Sequence, residues 1–252
     1  MKLYGKNPVI ERLKTNPQSI RKIYLQENHP DSAYIRKKAS RWGLPVFIVP
    51  ASRLQKMARD LNTQGIVVEV DDFAYVPYPD LLSSAVKKKE TLVFLDGITD
   101  PQNLGALIRS LACLGRFGVV LPTHDSVGVT ETVLRIACGG ENFVRVARVS
   151  NLSQAIVSAK EAGYSIAGSL VENGEDITQT ELPSPVGLVI GSEQKGIRPV
   201  VQKIVDVCVT IPMAQQRMSM NVAHATAILC YEILRQRKRH EKKNTSHPEE
   251  SE

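Results

Sequence analysis

Short apolar runs alternate with helix-length stretches along most of this chain. Runs at 92–96, 118–121, 143–149, 165–170, 187–190 and 207–211 are largely apolar, and those at 187–190 and 207–211 read as buried strands of a parallel sheet. Between or after them, 103–114, 130–138, 152–162 and 221–236 carry helical periodicity. Connections of that length imply parallel pairing with helices on both faces. Upstream the units are shorter: helices at 8–13, 32–42 and 51–59 alternate with strands at 22–25, 45–49 and 65–70. The reading is an α/β protein with a small N-terminal αβ domain at 1–71 and a linker at 72–90, marked by Pro77 and Pro79 and holding a short helix-like stretch that ends in Lys87-Lys88-Lys89. A parallel-sheet domain follows at 91–237, and 238–252 is a charged, disordered tail.

Charge adds a direction to this layout. The 252 residues carry a net +6, but the first 70 hold 13 Lys or Arg against 5 Asp or Glu, more than the whole excess. Arg36, Lys37, Lys38 and Arg41 share one short helix, with Tyr34 and Trp42 beside them, which suits RNA better than a random solvated face. Cys113, Cys138, Cys208 and Cys230 are scattered singly in apolar runs without metal-ligand spacing, so they are expected to be buried, reduced thiols, and no metal is expected. The first residues lack the apolar core of a signal peptide and no run reaches membrane-spanning length, so a cytoplasmic protein with no membrane partner is expected.

Chemistry concentrates where strands end. The strand at 187–190 runs into Gly191-Ser192-Glu193-Gln194-Lys195-Gly196, and that at 207–211 into Pro212-Met213 and then Ser219-Met220-Asn221. Ligands of open α/β sheets collect beyond the carboxyl ends of strands, and two such loops in succession can enclose a flat, neutral base with backbone groups. After the first strand of this domain, Asn103 suits a helix start and Arg109 lies six positions on, on a mostly apolar helix. There is no GxGxxG turn with its later acid and no GxxxxGK[ST], so neither a dinucleotide nor a triphosphate fingerprint is present.

Three segments give the pattern a family resemblance. Asn103-Leu104-Gly105-Ala106-Leu107-Ile108-Arg109-Ser110, Ile190-Gly191-Ser192-Glu193 with Gly196-Ile197, and Ile211-Pro212-Met213 with Ser219-Met220-Asn221-Val222-Ala223 resemble, in order and spacing, the three motifs of the SpoU, or TrmH-like, RNA ribose 2′-O-methyltransferases. The start Tyr4-Gly5-Lys6-Asn7-Pro8-Val9-Ile10-Glu11 and the strand Asn62-Thr63-Gln64-Gly65-Ile66-Val67 are similar to the RNA-binding domain of the branch that methylates a guanosine of large-subunit ribosomal RNA.

The resemblance implies a SPOUT domain with a deep trefoil knot, a homodimer in which the last helix joins the interface, and S-adenosylmethionine as methyl donor. It implies cofactor contacts at Ile190, Gly191, Gly196, Ile211, Pro212, Met213 and Met220, and a catalytic group of Arg109, Asn103, Glu193, Ser219 and Asn221. Because arginine is a poor general base, Arg109 would organise phosphate and alkoxide. The chain departs from the pattern at Gln215 and Arg217 in the third-motif loop and at Ala223, His224 and Thr226. Those departures leave two alternatives open beside ribosomal RNA methylation: a transfer RNA substrate, or a catalytically silent RNA-binding assembly protein.

Overall fold

The computed structural model describes residues 1–58, 62–215 and 218–245. The end of the 51–59 helix, Arg217 and the last part of the tail lie outside them.

In the N-terminal part, β1 (Lys2–Tyr4), α1 (Lys6–Thr15), β2 (Ile20–Gln26), α2 (Ser32–Ser40), β3 (Val46–Val49), α3 (Ala51–Met57) and β4 (Ile66–Val70) form a four-stranded sheet of order β1-β4-β2-β3. β4 is antiparallel to both β1 and β2, while β3 runs parallel to β2 at an edge. Leu3, Val9, Leu13, Ile23, Leu25, Ile35, Ile66 and Val68 fill its core. The cations of the basic helix have no acid partner among the described residues, and Trp42 at its end is 56% exposed.

The connection to the second part is shorter than 72–90. Its second half is α4 (Tyr78–Lys88), whose Leu81 and Ala85 are fully buried, one helical turn apart, against Leu92 and Phe94. Pro79 sits in the first turn of α4, where a missing N–H costs nothing, so the prolines open a helix here and do not mark a linker.

Seven parallel strands follow: β5 (Thr91–Asp96), β6 (Phe117–Pro122), β7 (Arg145–Val149), β8 (Ser165–Ser169), β9 (Glu175–Asp176), β10 (Val186–Gly191) and β11 (Val207–Thr210). The order is β7-β6-β5-β10-β8-β11-β9, so β10 lies between β5 and β8 although both precede it in the chain. Helices α5 (Pro101–Leu114), α6 (Glu131–Ala137), α7 (Leu152–Glu161), α8 (Pro199–Gln202) and α9 (Val222–Thr245) complete the domain, with α9 packed along α5. Residues 238–245, expected in a disordered tail, are helical: α9 is held past its apolar part by Arg237, 7% exposed, which donates to Thr91 Oγ1 and lies over the Phe117 ring. Arg116 pairs with Glu241 at 2.6 Å further along. Residues 246–252 lie outside the described set.

The two parts share a polar seam. Arg12 on α1 pairs with Glu141 at 2.7 Å, with side chains only 6% and 1% exposed. Asn142 Nδ2 donates to Thr15 Oγ1, Asn16 Nδ2 donates to Asn142 Oδ1, and the Lys2 N–H donates to Glu131 Oε1. Gly139 (φ 91°) permits the approach: a Cβ there would sit 2.8 Å from Glu11 Cβ. Of the four cysteines only Cys230 is buried; Cys113 is exposed on α5, which corrects the expectation of four buried thiols. Burial raises the Cys230 thiol far above its ordinary range.

Candidate active site

The carboxyl ends of β5, β8, β10 and β11 meet on one side of the sheet, and a cavity of about 260 Å³ opens there. Ile190, Gly191, Gly196, Ile211, Met213 and Met220 line it, together with Glu193, Ser219 and Asn221. Pro212 is exposed and does not line the cavity.

The loop after β10 folds back on itself. Ser192 and Gly196 exchange backbone hydrogen bonds at 3.1 and 2.9 Å, and Gly196 takes φ 64°. That return runs directly over Gly191: a Cβ there would lie 2.1 Å from Gly196 C and 2.3 Å from Ile197 N, both backbone atoms that cannot swing aside. Close approach of the chain to itself, not a special φ, is what requires glycine at this position. The far end of the loop is tied to β5: Asp96, fully buried at the strand end, accepts from Arg198 N at 2.8 Å and Arg198 Nε at 2.6 Å. This brace was not singled out in the sequence; its signal was an acid closing a wholly apolar strand.

A second bonded chain joins three segments far apart in sequence. Asn103 Nδ2 donates to Glu193 Oε1, and Asn221 Nδ2 donates to Asn103 Oδ1 at 2.9 Å. Asn221 Oδ1 in turn accepts from the N–H groups of Ala223 and His224, capping α9. The cap of α5 is Asp100, whose side chain accepts from Gln102 N, so Asn103 is freed from the capping role its sequence position suggested. Ser219 makes no side-chain hydrogen bond among the described residues. A larger hollow of about 610 Å³ adjoins the cavity, sharing Ser192, Glu193 and Gly196 and adding Asn103, His124, Asp125 and Lys195.

Arg109 is elsewhere. Six residues on from Asn103, it is turned roughly 120° around α5 and ~9 Å along it, and it lines a separate hollow with Lys14 and Phe143. It is exposed and makes no hydrogen bond or ion pair among the described residues. Ala223, a departure from the motif pattern, is 3% exposed in the first turn of α9 and serves packing; Thr226 is also buried and bonds back to Val222 O at 2.7 Å.

The model of the SpoU rRNA Methylase family matches residues 90–231, more than half of the chain. This chain belongs to that family. A second model, RNA 2′-O ribose methyltransferase substrate binding, matches residues 2–76. Over 240 residues the chain is 35% identical to the 23S rRNA (guanosine-2′-O-)-methyltransferase RlmB of Coxiella burnetii, covering 93% of this chain and 95% of that one. It is 37% identical over 240 residues to an uncharacterized tRNA/rRNA methyltransferase of Synechocystis, covering 93% of this chain but 62% of the relative. The crystal structure of an AdoMet-bound rRNA methyltransferase from Sinorhizobium meliloti superposes with a TM-score of 0.75 at 25% identity, over 93% of this chain and 86% of that one. The chain thus belongs to a family of RNA methyltransferases, with a segment matching a substrate-binding model ahead of its parallel-sheet domain. No described helix is long and apolar enough to cross a membrane.

Proposed function

We propose that this protein transfers the methyl group of S-adenosylmethionine to the 2′-oxygen of a guanosine ribose in 23S ribosomal RNA. The observation that carries the reading is the bonded chain Glu193–Asn103–Asn221, which joins all three motifs at the border of the strand-end cavity and a larger hollow. The guanosine and the ribosomal substrate are supported by the RlmB-type relatives and by the basic helix of the N-terminal module.

The cavity suits the methyl donor. Its walls include the apolar side chains of Leu170, Ile190, Ile211, Met213 and Met220, and the packing of the loop's return on Gly191, which leaves no room for a Cβ, fixes the wall that Gly191 and Gly196 form. Ile190, Gly191, Gly196, Ile211, Met213 and Met220 would hold the cofactor, with Pro212 shaping the loop from outside. When bound, S-adenosylmethionine supplies an electrophilic methyl on a sulfonium. The protein's part is to orient the ribose oxygen in line and assist loss of its proton. Asn103, fixed by Glu193 and Asn221, holds the loops in register. Ser219 offers an unengaged hydroxyl at the cavity wall. Arg109 balances the charge that develops on the oxygen and the neighbouring phosphate.

Arg109 lies apart from the cavity of its own chain, so the same proposal includes a homodimer in which it completes the site of a second copy. The exposed Ile228 and Tyr231 on α9, which packs along α5, support such an interface. It also includes the trefoil knot, supported by β10 lying between the earlier β5 and β8. The test is to incubate the protein with methyl-labelled S-adenosylmethionine and either unmodified 23S rRNA or transfer RNA, then digest to nucleosides. Label in 2′-O-methylguanosine from 23S rRNA is expected; label from transfer RNA alone would replace the substrate, and no label with either would remove the enzymatic reading.

A further inference from the structure

The hollow that holds Arg109 lies on the seam between the two parts of the chain. It has a volume of about 480 Å³, within the range of roughly 300–1,000 Å³ typical of small-ligand sites. One wall is α1, with Asn7, Ile10 and Lys14; the other is α5, with Arg109, and the turn ending at Phe143. Phe143 is 67% exposed, the most exposed large apolar side chain among the described residues. The 3-10 turn 140–142 sets it there: Glu141 and Asn142 are drawn into the seam by Arg12, Thr15 and Asn16, which leaves the next side chain facing out.

An exposed phenyl ring beside an unpaired guanidinium is a poor solvent surface and a good nucleotide surface. Nucleobases stack on aromatic faces whatever their sequence, and the adjoining phosphate needs a cation. Arg109 supplies that cation without having to break an ion pair, and Lys14, held by Glu11 at 2.7 Å, adds a second at the rim. The hollow also spans the junction between the segment matching the substrate-binding model and that matching the methylase model.

We propose that this seam hollow is an RNA subsite that holds the nucleotide next to the one methylated in the second copy's site, its base stacked on Phe143 and its phosphate, the one neighbouring the reacting ribose, on Arg109 and Lys14. The inference rests on the RNA methyltransferase reading above. Phe143 is a substrate-positioning residue and takes no part in the chemistry.

The test is the series Phe143→Ala, Phe143→Leu and Phe143→Trp in the full chain. Steady-state transfer to unmodified 23S rRNA, S-adenosylmethionine affinity by calorimetry and oligomeric state by light scattering are read for each. Phe143→Ala is expected to raise the KM for RNA about tenfold, with kcat, cofactor affinity and oligomeric state unchanged. Phe143→Trp restores the KM and Phe143→Leu does not, because stacking needs a flat ring whereas apolar burial does not. An unchanged KM in Phe143→Ala, full rescue by Phe143→Leu, or dissociation of the oligomer would each overturn the subsite, the last by assigning Phe143 to contact between copies. If the wild type transfers no methyl to any RNA, the proposed function falls and the subsite with it; intact wild-type transfer with a silent Phe143 series removes the subsite alone.

Discussion

Breaking the Arg12–Glu141 pair from one side has a calculable cost. With side chains 6% and 1% exposed and 2.7 Å apart, the two charges have left water almost completely. Burial pulls the Arg12 pKa down and pushes that of Glu141 up, in each case outweighing the attraction of the partner. Arg12 Nε and Glu141 Oε2 also lack hydrogen-bond partners among the described residues. Arg12→Met alone leaves a buried carboxylate without its cation, which costs about 3–5 kcal/mol. At about 2–4 °C per kcal/mol for a chain of this size, the melting temperature falls by about 6–20 °C. Arg12→Met with Glu141→Leu removes both desolvation penalties and should melt within a few degrees of wild type or above it. The pair then serves to fix the N-terminal module in one register on the methylase domain, not to add stability. Scanning calorimetry of the two single variants and the double variant checks this. An Arg12→Met protein melting within 2 °C of wild type, or a double variant as unstable as the single, would refute the reasoning.

Gly191→Ala puts a Cβ 2.1 Å from Gly196 C, so backbone must move by more than an ångström; cofactor affinity by calorimetry should fall at least about 100-fold, with a stability loss of about 1–3 kcal/mol. Asn221→Ser keeps an oxygen for the α9 cap but loses the donor to Asn103, so transfer should drop about 100-fold at near wild-type stability, whereas Asn221→Ala also loses about 1 kcal/mol by urea titration. Burial alone would raise the pKa of Asp206, but the bonds it accepts from Lys160 and the Ile166 N–H lower it overall. Its stabilising contribution is therefore present above the ordinary carboxylate pKa and lost as pH falls through the lowered one. The melting-temperature difference between wild type and Asp206→Ala should stay level from pH 7 to about pH 5 and shrink as the pH is lowered further.

The parallel sheet was legible because strands buried on both faces need apolar runs: Val93, Val119 and Leu188 are flanked on both sides by apolar residues or glycine. What failed was local. The helix-like stretch ending at Lys87-Lys88-Lys89 read as part of a linker, since its packing of Leu81 and Ala85 against Leu92 and Phe94 is not disclosed by the residues around it. The charged end of α9 read as tail, since nothing near Arg237 in sequence discloses its contacts with Thr91 and Phe117. The motif segments around Gly191, Asn103 and Asn221 could be named in advance, because each sits at a strand end or helix start. Their bonding, and the separation of Arg109 from them, depend on helix phase and on contacts between residues about a hundred positions apart. The seam joining Arg12 to Glu141 was invisible for the same reason.

The central claim, methylation of a guanosine ribose in 23S rRNA, is tested most directly by mapping 2′-O-methyl positions across total RNA from a strain lacking this protein. Loss of one 2′-O-methylguanosine from 23S rRNA is expected, restored by the wild-type chain and not by Gly191→Ala. An unchanged 23S rRNA map, or loss of a mark from transfer RNA instead, would contradict it.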